Sequence, residues 1–282
     1  MSQSGKLQML DSHQHFWKVE RGDYGWLTPD LGAIYRNFLP KDLEPDMRRA
    51  GITRTILVQA AETQAETDFL LALAAKTDFI AGVVGWLDLE ADDFSTRLKH
   101  YRANPDFIGI RPMLQSLADD VYILRPKVID SLKAIADSGL PFDILTFPRH
   151  LPHVIAALRQ VPDLKAVVDH ISKPDIAKGT LDPWRDHMAE IASFDQVYCK
   201  VSGMVTEASA DWALEDFRPY VDHVIKCFGP NRLMFGSDWP VCTLAASYGE
   251  VANLARTLVS AHFGPDDLTL IFETNARRFY GV

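Results

Sequence analysis

The sequence predicts a (β/α)8 barrel, and three observations carry the prediction. Eight short β-rich runs are spaced along the chain, helix-like segments alternate with them, and several runs end on a polar residue. Strands alternating with helical segments are the signature of parallel βαβ units, and eight such units close most economically into a barrel. The runs are Leu7 to Asp11, Arg54 to Gln59, Ile80 to Trp86, Phe107 to Ile110, Pro141 to Leu145, Ala166 to Asp169, Gln196 to Val201 and Leu233 to Phe235. Their starts lie roughly 25 to 45 residues apart, enough for a crossover helix between parallel neighbours.

The helical segments are Asp42 to Ala50, Thr63 to Ala75, Pro126 to Asp137, Leu151 to Gln160, Pro183 to Ala192, Glu215 to Cys227 and Tyr248 to Val259. In the first, Asp42 is a candidate N-cap, Pro45 falls in the first turn where a missing N–H is harmless, and Gly51 can end the helix. Phe16 to Leu39, rich in Gly, Trp and Tyr, reads as a long loop after the first strand, placed over the barrel mouth. No internal repeat, low-complexity tract or linker divides the chain, so residues 1–282 read as one domain.

Composition narrows the function classes. The chain has 282 residues, 47% of them apolar, enough to bury a large core. Its formal charge of -9 is spread along the chain without a basic block, which argues against nucleic acid or an anionic membrane as partner. Cys199, Cys227 and Cys242 are odd in number and far apart, which suits reduced thiols and a cytoplasmic protein. No stretch approaches the ~20 apolar residues of a membrane span. The sequence assigns no oligomeric state.

Three polar clusters at strand ends can carry chemistry. His13 and His15 alternate along the first strand and so share a face, about 7 Å apart along the chain; they can bind a divalent metal or donate hydrogen bonds to a carbonyl. His170 follows Asp169 at the end of the sixth run, where it is either a site residue or the neighbour of a capping Asp. Asp238 leaves the last run behind Gly236, as a general base, a metal ligand or a turn residue. Three imidazoles and a carboxylate at three strand ends are poorly explained one by one.

Arg111 ends the fourth run, where its forked donors suit a substrate oxygen or a surface ion pair. Lys200 either faces the site or pairs with an acid such as Asp143, because a buried ammonium needs a partner. Tyr24, Trp26, Trp86 and Trp239 can supply aromatic faces to a sugar-like ring or pack in the core. Cys242 lies close behind Asp238, but no nearby His–acid pair supports it as a nucleophile.

These residues sit in a set of motifs: DSHQHFW at Asp11 to Trp17, DYGWL at Asp23 to Leu27, AGVVGWLDL at Ala81 to Leu89, GIRPMLQ at Gly109 to Gln115, DHISKP at Asp169 to Pro174, CKVSGM at Cys199 to Met204 and GSDWPVC at Gly236 to Cys242. Together, from about Asp11 to Tyr280, they resemble the amidohydrolase superfamily, and within it the sugar-lactone hydrolase branch that includes L-fuconolactonases and L-rhamnono-lactonase-like proteins. The resemblance implies a distorted TIM (β/α)8 barrel with His13, His15, His170 and Asp238 at the reaction centre. It implies hydrolysis of a small-molecule lactone derived from a sugar such as L-fucose or L-rhamnose. On that basis water attack with Asp238 as base is the expected mechanism, and the chemistry of Arg111, Trp26, Tyr24, Trp86 and Lys200 makes them the candidate substrate contacts. Members work with one divalent metal or none, and zinc bound by His13, His15 and Asp238 is the expected choice where a metal is present. A two-metal centre is not expected, because Arg111 and Asp143 stand where binuclear relatives carry a bridging residue and a fifth-strand His. Pro112 departs from the Gly-Ile-Arg-His of many relatives. The rival readings are a dicarboxylate lactonase of aromatic degradation, a metal-dependent amidase or decarboxylase on the same scaffold, and a non-catalytic sugar-binding protein.

Overall fold

A computed structural model describes residues 9–282. Eight parallel strands lie side by side in chain order: β1 Met9–Gln14, β2 Ile52–Val58, β3 Ile80–Gly85, β4 Phe107–Ile110, β5 Phe142–Ile144, β6 Ala166–Val168, β7 Val197–Val201 and β8 Leu233–Phe235. Each of the eight expected runs contains or overlaps one of these strands, although Leu7 and Gln8 of the first run lie outside the described residues. That first strand continues to Gln14, so His13 is a strand residue rather than a residue beyond the strand end.

The connecting helices are α1 Pro40–Arg49, α2 Gln64–Ala74, α3 Phe94–Arg102, α4 Pro126–Ser138, α5 Leu151–Gln160, α6 Trp184–Ile191, α7 Leu214–Phe228 and α8 Tyr248–Ser260. Local chemistry fixes several ends. The Thr63 side chain accepts from Glu66 N–H at the start of α2, Ser247 does the same for Glu250 in α8, and Gly139 closes α4 in the left-handed region. In α1 the expected cap is corrected: the helix starts at Pro40, and Asp42, in its third position, reaches back to accept from Leu39 N–H at 2.9 Å. Pro45 therefore lies inside the helix. The expected helices omit α3, whose buried positions are only Phe94, Leu98 and Tyr101 among polar neighbours. Two short 3-10 turns, Val19–Arg21 and Pro29–Ile34, organise the long loop after β1.

The barrel is distorted at two seams. β4 and β5 share a single register pair, Ile110 with Phe142. β8 meets β1 through an isolated bridge, Gln14 to Trp239, with His15 N–H donating to the Trp239 carbonyl at 2.7 Å and Asp238 N–H to the His13 carbonyl at 2.8 Å. Inside the barrel, Leu10, Ile56, Val84, Val167 and Met234 pack against Phe279 and Tyr280 of a last helix, α10, after the short α9 Pro265–Thr269; α10 spans Asn275–Tyr280. Burying a phenylalanine such as Phe279 contributes roughly 1.5–3 kcal/mol. The strands' carboxyl ends are left to the polar groups. No helix among the described residues is long and apolar enough to cross a membrane.

Candidate active site

The two ends of the barrel sheet are joined by one carboxylate. Asp11, wholly buried, accepts from His13 N–H at 3.0 Å, Ser237 N–H at 2.9 Å and the Tyr248 hydroxyl at 3.0 Å. It thereby locks DSHQH to GSDWP, and burial pushes its carboxyl up to about 6. The close approach of these segments needs Gly236, since a Cβ there would stand 2.7 Å from His13 Cβ.

His13, His15, His170 and Asp238 converge as expected. His15 Nε2 lies 3.2 Å from both His13 Nε2 and Asp238 Oδ1, and His13 Nε2 and His170 Nε2 lie 3.8 and 3.7 Å from the same oxygen. The proton positions follow from the partners. His15 Nδ1 is 2.8 Å from the Val58 carbonyl, which can only accept, so the proton sits on Nδ1 and Nε2 carries a lone pair. His13 has a donor-only neighbour at each nitrogen, Arg111 Nη1 3.1 Å from Nε2 and Lys200 Nζ 3.2 Å from Nδ1, and only Nδ1 also has the Asp169 carboxylate beside it, Oδ1 at 3.4 Å; the proton therefore sits on Nδ1 towards Asp169 and Nε2 offers a lone pair.

Charge follows the same geometry. Burial holds His13, His15 and His170 below the ordinary imidazole value, His170 at about 4, so all three are neutral near pH 7. Burial alone would raise Asp238, but the surrounding imidazoles, His170 first and then His15 and His13, outweigh it and hold the carboxyl below the usual carboxylate range. Lone pairs of His13, His15 and ionised Asp238 thus meet without a proton between His15 and the carboxylate. Nitrogen ligands ~2.0–2.1 Å from a tetrahedral ion lie about 3.4 Å apart, close to the 3.2 Å between these imidazoles. The donor set fits one divalent cation. A second combination, His13, Asp169 and His170, also clusters, but Lys200 Nζ lies 3.0 Å from Asp169 Oδ1 and 3.2 Å from His13 Nδ1 and supplies the cation there.

Two backbone features are costly. His170, Ile171, Ser172 and Lys173 form a run of left-handed residues with φ of 53, 47, 59 and 48°, and Asp238 has φ of 58°. A non-glycine residue there costs about 1–2 kcal/mol, and such strain concentrates at functional sites. The His170 ring lies over Gly203, where a Cβ would stand 2.5 Å from its Cγ. Gly203 also has φ of 59°. Gly203→Ala is expected to destabilise by about 1–3 kcal/mol through overpacking and to displace His170. Thermal melting and steady-state kinetics on one preparation check this: turnover should fall further than the small unfolded fraction explains, and unchanged turnover would remove His170 from the chemistry.

Above these groups lies a cavity of about 150 Å³ lined by His15, Trp26, Arg111, Met113, Gln115, His170, Lys173 and Asp238. It is smaller than the ~300 Å³ and more of sites for drug-sized ligands and suits a single sugar ring. A larger depression of about 550 Å³ between α1 and α8, near Arg49 and Arg256, holds none of these groups.

Of the residues expected against a substrate, Arg111 and Trp26 line the cavity; Trp26 is oriented by its Nε1–H donating to the Ala60 carbonyl at 2.7 Å. Three others are corrected. Tyr24 is buried with its hydroxyl donating to Glu66 at 2.6 Å, because a phenol in the core needs an acceptor. Trp86 does not line the cavity; Thr67 Oγ1 bonds both its N–H and its carbonyl. Lys200 lies beneath the site with no exposed surface, 2.6 Å from Asp143 Oδ2, so the pairing alternative holds and the substrate contact does not. Trp239 is buried against Phe16 and Phe38. Met113, Gln115 and Lys173 were missed as lining residues, although each lies in a quoted motif. Cys242 is buried and its thiol pushed far up by burial, which removes it as a nucleophile.

Residues 10–282 match the amidohydrolase family. The chain belongs to the amidohydrolase family. A Burkholderia ambifaria protein named L-fucono-1,5-lactonase is 43% identical to this amidohydrolase over 276 residues, 97% of this chain and 95% of that one. A Burkholderia multivorans protein of the same name is 36% identical over 286 residues, 97% and 96% of the two chains. A crystal structure of an amidohydrolase from Burkholderia multivorans with bound zinc, 36% identical, matches this amidohydrolase with a TM-score of 0.92 over 98% of this chain and 99% of that one.

Proposed function

We propose that this amidohydrolase opens the lactone of a neutral sugar acid, of the L-fucono-1,5-lactone type, to the free aldonic acid. The observation that carries the reading is an ionised Asp238 set among neutral imidazoles and beside Arg111 in a cavity the size of one sugar ring. Identity of 43% with a protein named L-fucono-1,5-lactonase supports it.

Water attacks the carbonyl carbon as its proton passes to the Asp238 carboxylate. Asp238 is a weak base, but the water becomes strongly acidic as its oxygen bonds to carbon. The charge that develops on the carbonyl oxygen is met by Arg111, whose Nε is buried with no partner among the described residues while Nη1 and Nη2 are held by His13, Asp169 and the Gln59 carbonyl. His170, fixed by Nδ1 against Ser202 Oγ at 2.9 Å, directs Nε2 towards Asp238. Collapse of the tetrahedral intermediate breaks the ring C–O bond, and the proton on Asp238 goes to the departing ring oxygen. His13, His15 and Asp238 are the residues that would hold one divalent ion, zinc being the choice their N and O donors favour, and such an ion polarises a carbonyl and acidifies water.

The test is lactone opening followed by pH indicator, with elemental analysis of the same sample. The expected result is kcat/KM for L-fucono-1,5-lactone or an L-rhamnono-lactone at least ~10-fold above that for 2-pyrone-4,6-dicarboxylate, a gap of about 1.4 kcal/mol, with no more than one metal per chain. Preference for the dicarboxylate overturns the sugar assignment; two tightly held ions overturn the single-site reading.

A further inference from the structure

The left-handed turn after β6 delivers two side chains to the cavity. In a helical turn of either hand, residues three apart face the same side, and here His170 and Lys173 both line the cavity, with Lys173 N–H closing the turn onto the His170 carbonyl at 2.8 Å. Between them Ile171 enters the core, and Ser172 bonds Thr146 Oγ1 at 2.8 Å. The placement of His170 is used by the reaction described above; that of Lys173 is not.

Lys173 differs from the other cations near the site. Arg111 is engaged by His13, Asp169 and Gln59, and Lys200 has no exposed surface. The Lys173 side chain is 14% exposed and its ammonium lies over the Phe147 ring at 5.7 Å. Its carboxylate neighbour is Glu207, from the 3-10 turn Val205–Glu207 after β7, with Oε1 3.7 Å from Lys173 Nζ and 20% of its side chain exposed. Burial raises the Glu207 carboxyl while the Lys173 charge opposes the rise.

Taking the sugar-lactone reading as its basis, we propose that Glu207 determines specificity: it neutralises the Lys173 ammonium, leaving a hydrogen-bond donor for the hydroxyls of an uncharged lactone and no surplus charge for a lactone that carries a carboxylate. The charges around the cavity leave no surplus cation. Arg111, Lys173 and Lys200 are matched by Asp169, Glu207 and Asp143 in the pairs already described, and Asp238 stands as a fourth carboxylate beyond them. An anionic ring entering this site meets Asp238 and the Glu207 charge behind Lys173, while Lys173 is paired and Arg111, engaged through both Nη atoms, is open only at Nε for the carbonyl oxygen; like-charge juxtaposition is an effective way to reject a wrong ligand. Removing the Glu207 charge frees Lys173 to pair with such a carboxylate.

The experiment compares L-fucono-1,5-lactone with the galactaro-1,5-lactone of the same ring configuration, in which a carboxylate replaces the methyl group. Both side chains are partly exposed, so the variants should fold, and thermal melting checks it. Glu207→Gln is expected to shift the kcat/KM ratio at least ~10-fold towards the anionic lactone, chiefly through KM, and adding Lys173→Met should abolish that gain. An unchanged ratio in Glu207→Gln, or a gain that survives in the double variant, overturns the proposal while the activity of the parent enzyme on L-fucono-1,5-lactone stands. A parent enzyme that opens the galactaro-lactone better overturns the sugar-lactone reading and this inference with it.

Discussion

Replacing Asp238 with Asn is expected to lower kcat for lactone opening by about 10²–10⁴-fold, the range a positioned general base supplies, while the fold survives. Asn keeps the shape and can still meet His15, but it cannot take a proton from water. The loss should appear in kcat with little change in KM, since the group acts on the water and not on the lactone's hydroxyls. Circular dichroism and a thermal melt establish the fold, and steady-state kinetics at neutral pH measure the effect. Near-normal turnover would make Asp238 a turn residue that happens to lie beside three imidazoles. Acid should not silence the parent enzyme by protonating this group within the working range, because its carboxyl is held so low.

Lys200→Met is expected to cost about 3–5 kcal/mol of stability, the penalty for stranding buried charge. Asp143 and Asp169, both without exposed surface, lie 2.6 and 3.0 Å from the Lys200 ammonium. Without it Asp143 keeps only the Tyr280 hydroxyl, at 2.9 and 2.8 Å from its two oxygens. The pH dependence has a definite sign. Burial pushes Asp143 up to about 6, with Lys200 opposing, so its folded value lies above its unfolded one. Such a group contributes stability at low pH that is lost as pH rises through the folded value. Removing Lys200 raises that value further, so the stability gap between parent and variant should narrow from pH 8 to pH 6. The histidines, depressed by burial, destabilise both proteins on acidification, His13 less in the variant because Lys200 helps to depress it, which narrows the gap in the same direction. Urea unfolding at the two pH values measures the gap, and a gap independent of pH would show that Asp143 is not the stranded charge. Adding Asp143→Asn should recover part of the loss.

The contrast between these two residues shows what could be read from the chain alone. Asp238 and the three histidines were legible because each signal is local: His13 and His15 share a face by strand alternation, while His170 and Asp238 are polar residues that end apolar runs. The order of runs and helical segments likewise follows from short-range periodicity, which is why all eight strands were found and α3, with three buried positions, was not. Lys200 carried a local signal too, a charge inside an apolar run, and its partner Asp143 could be named as the alternative to substrate contact. What the chain alone left undecided was which alternative held.

That decision is made by distance in space between residues far apart in sequence. His15 meets Asp238 across 223 residues, Lys200 meets His13 across 187, and Tyr24 finds Glu66 across 42. Whether a tyrosine or lysine faces a cavity or another side chain depends on the register of strands around the barrel and on backbone turns that composition does not announce, such as the left-handed run from His170 to Lys173. The sequence by itself determined the strand-and-helix alternation and the chemical types that gather at the candidate site, because both are signalled within a few residues. The tertiary structure alone decided which charges neutralise one another beneath the site and which stay open to a ligand, because those pairings form only when the barrel closes.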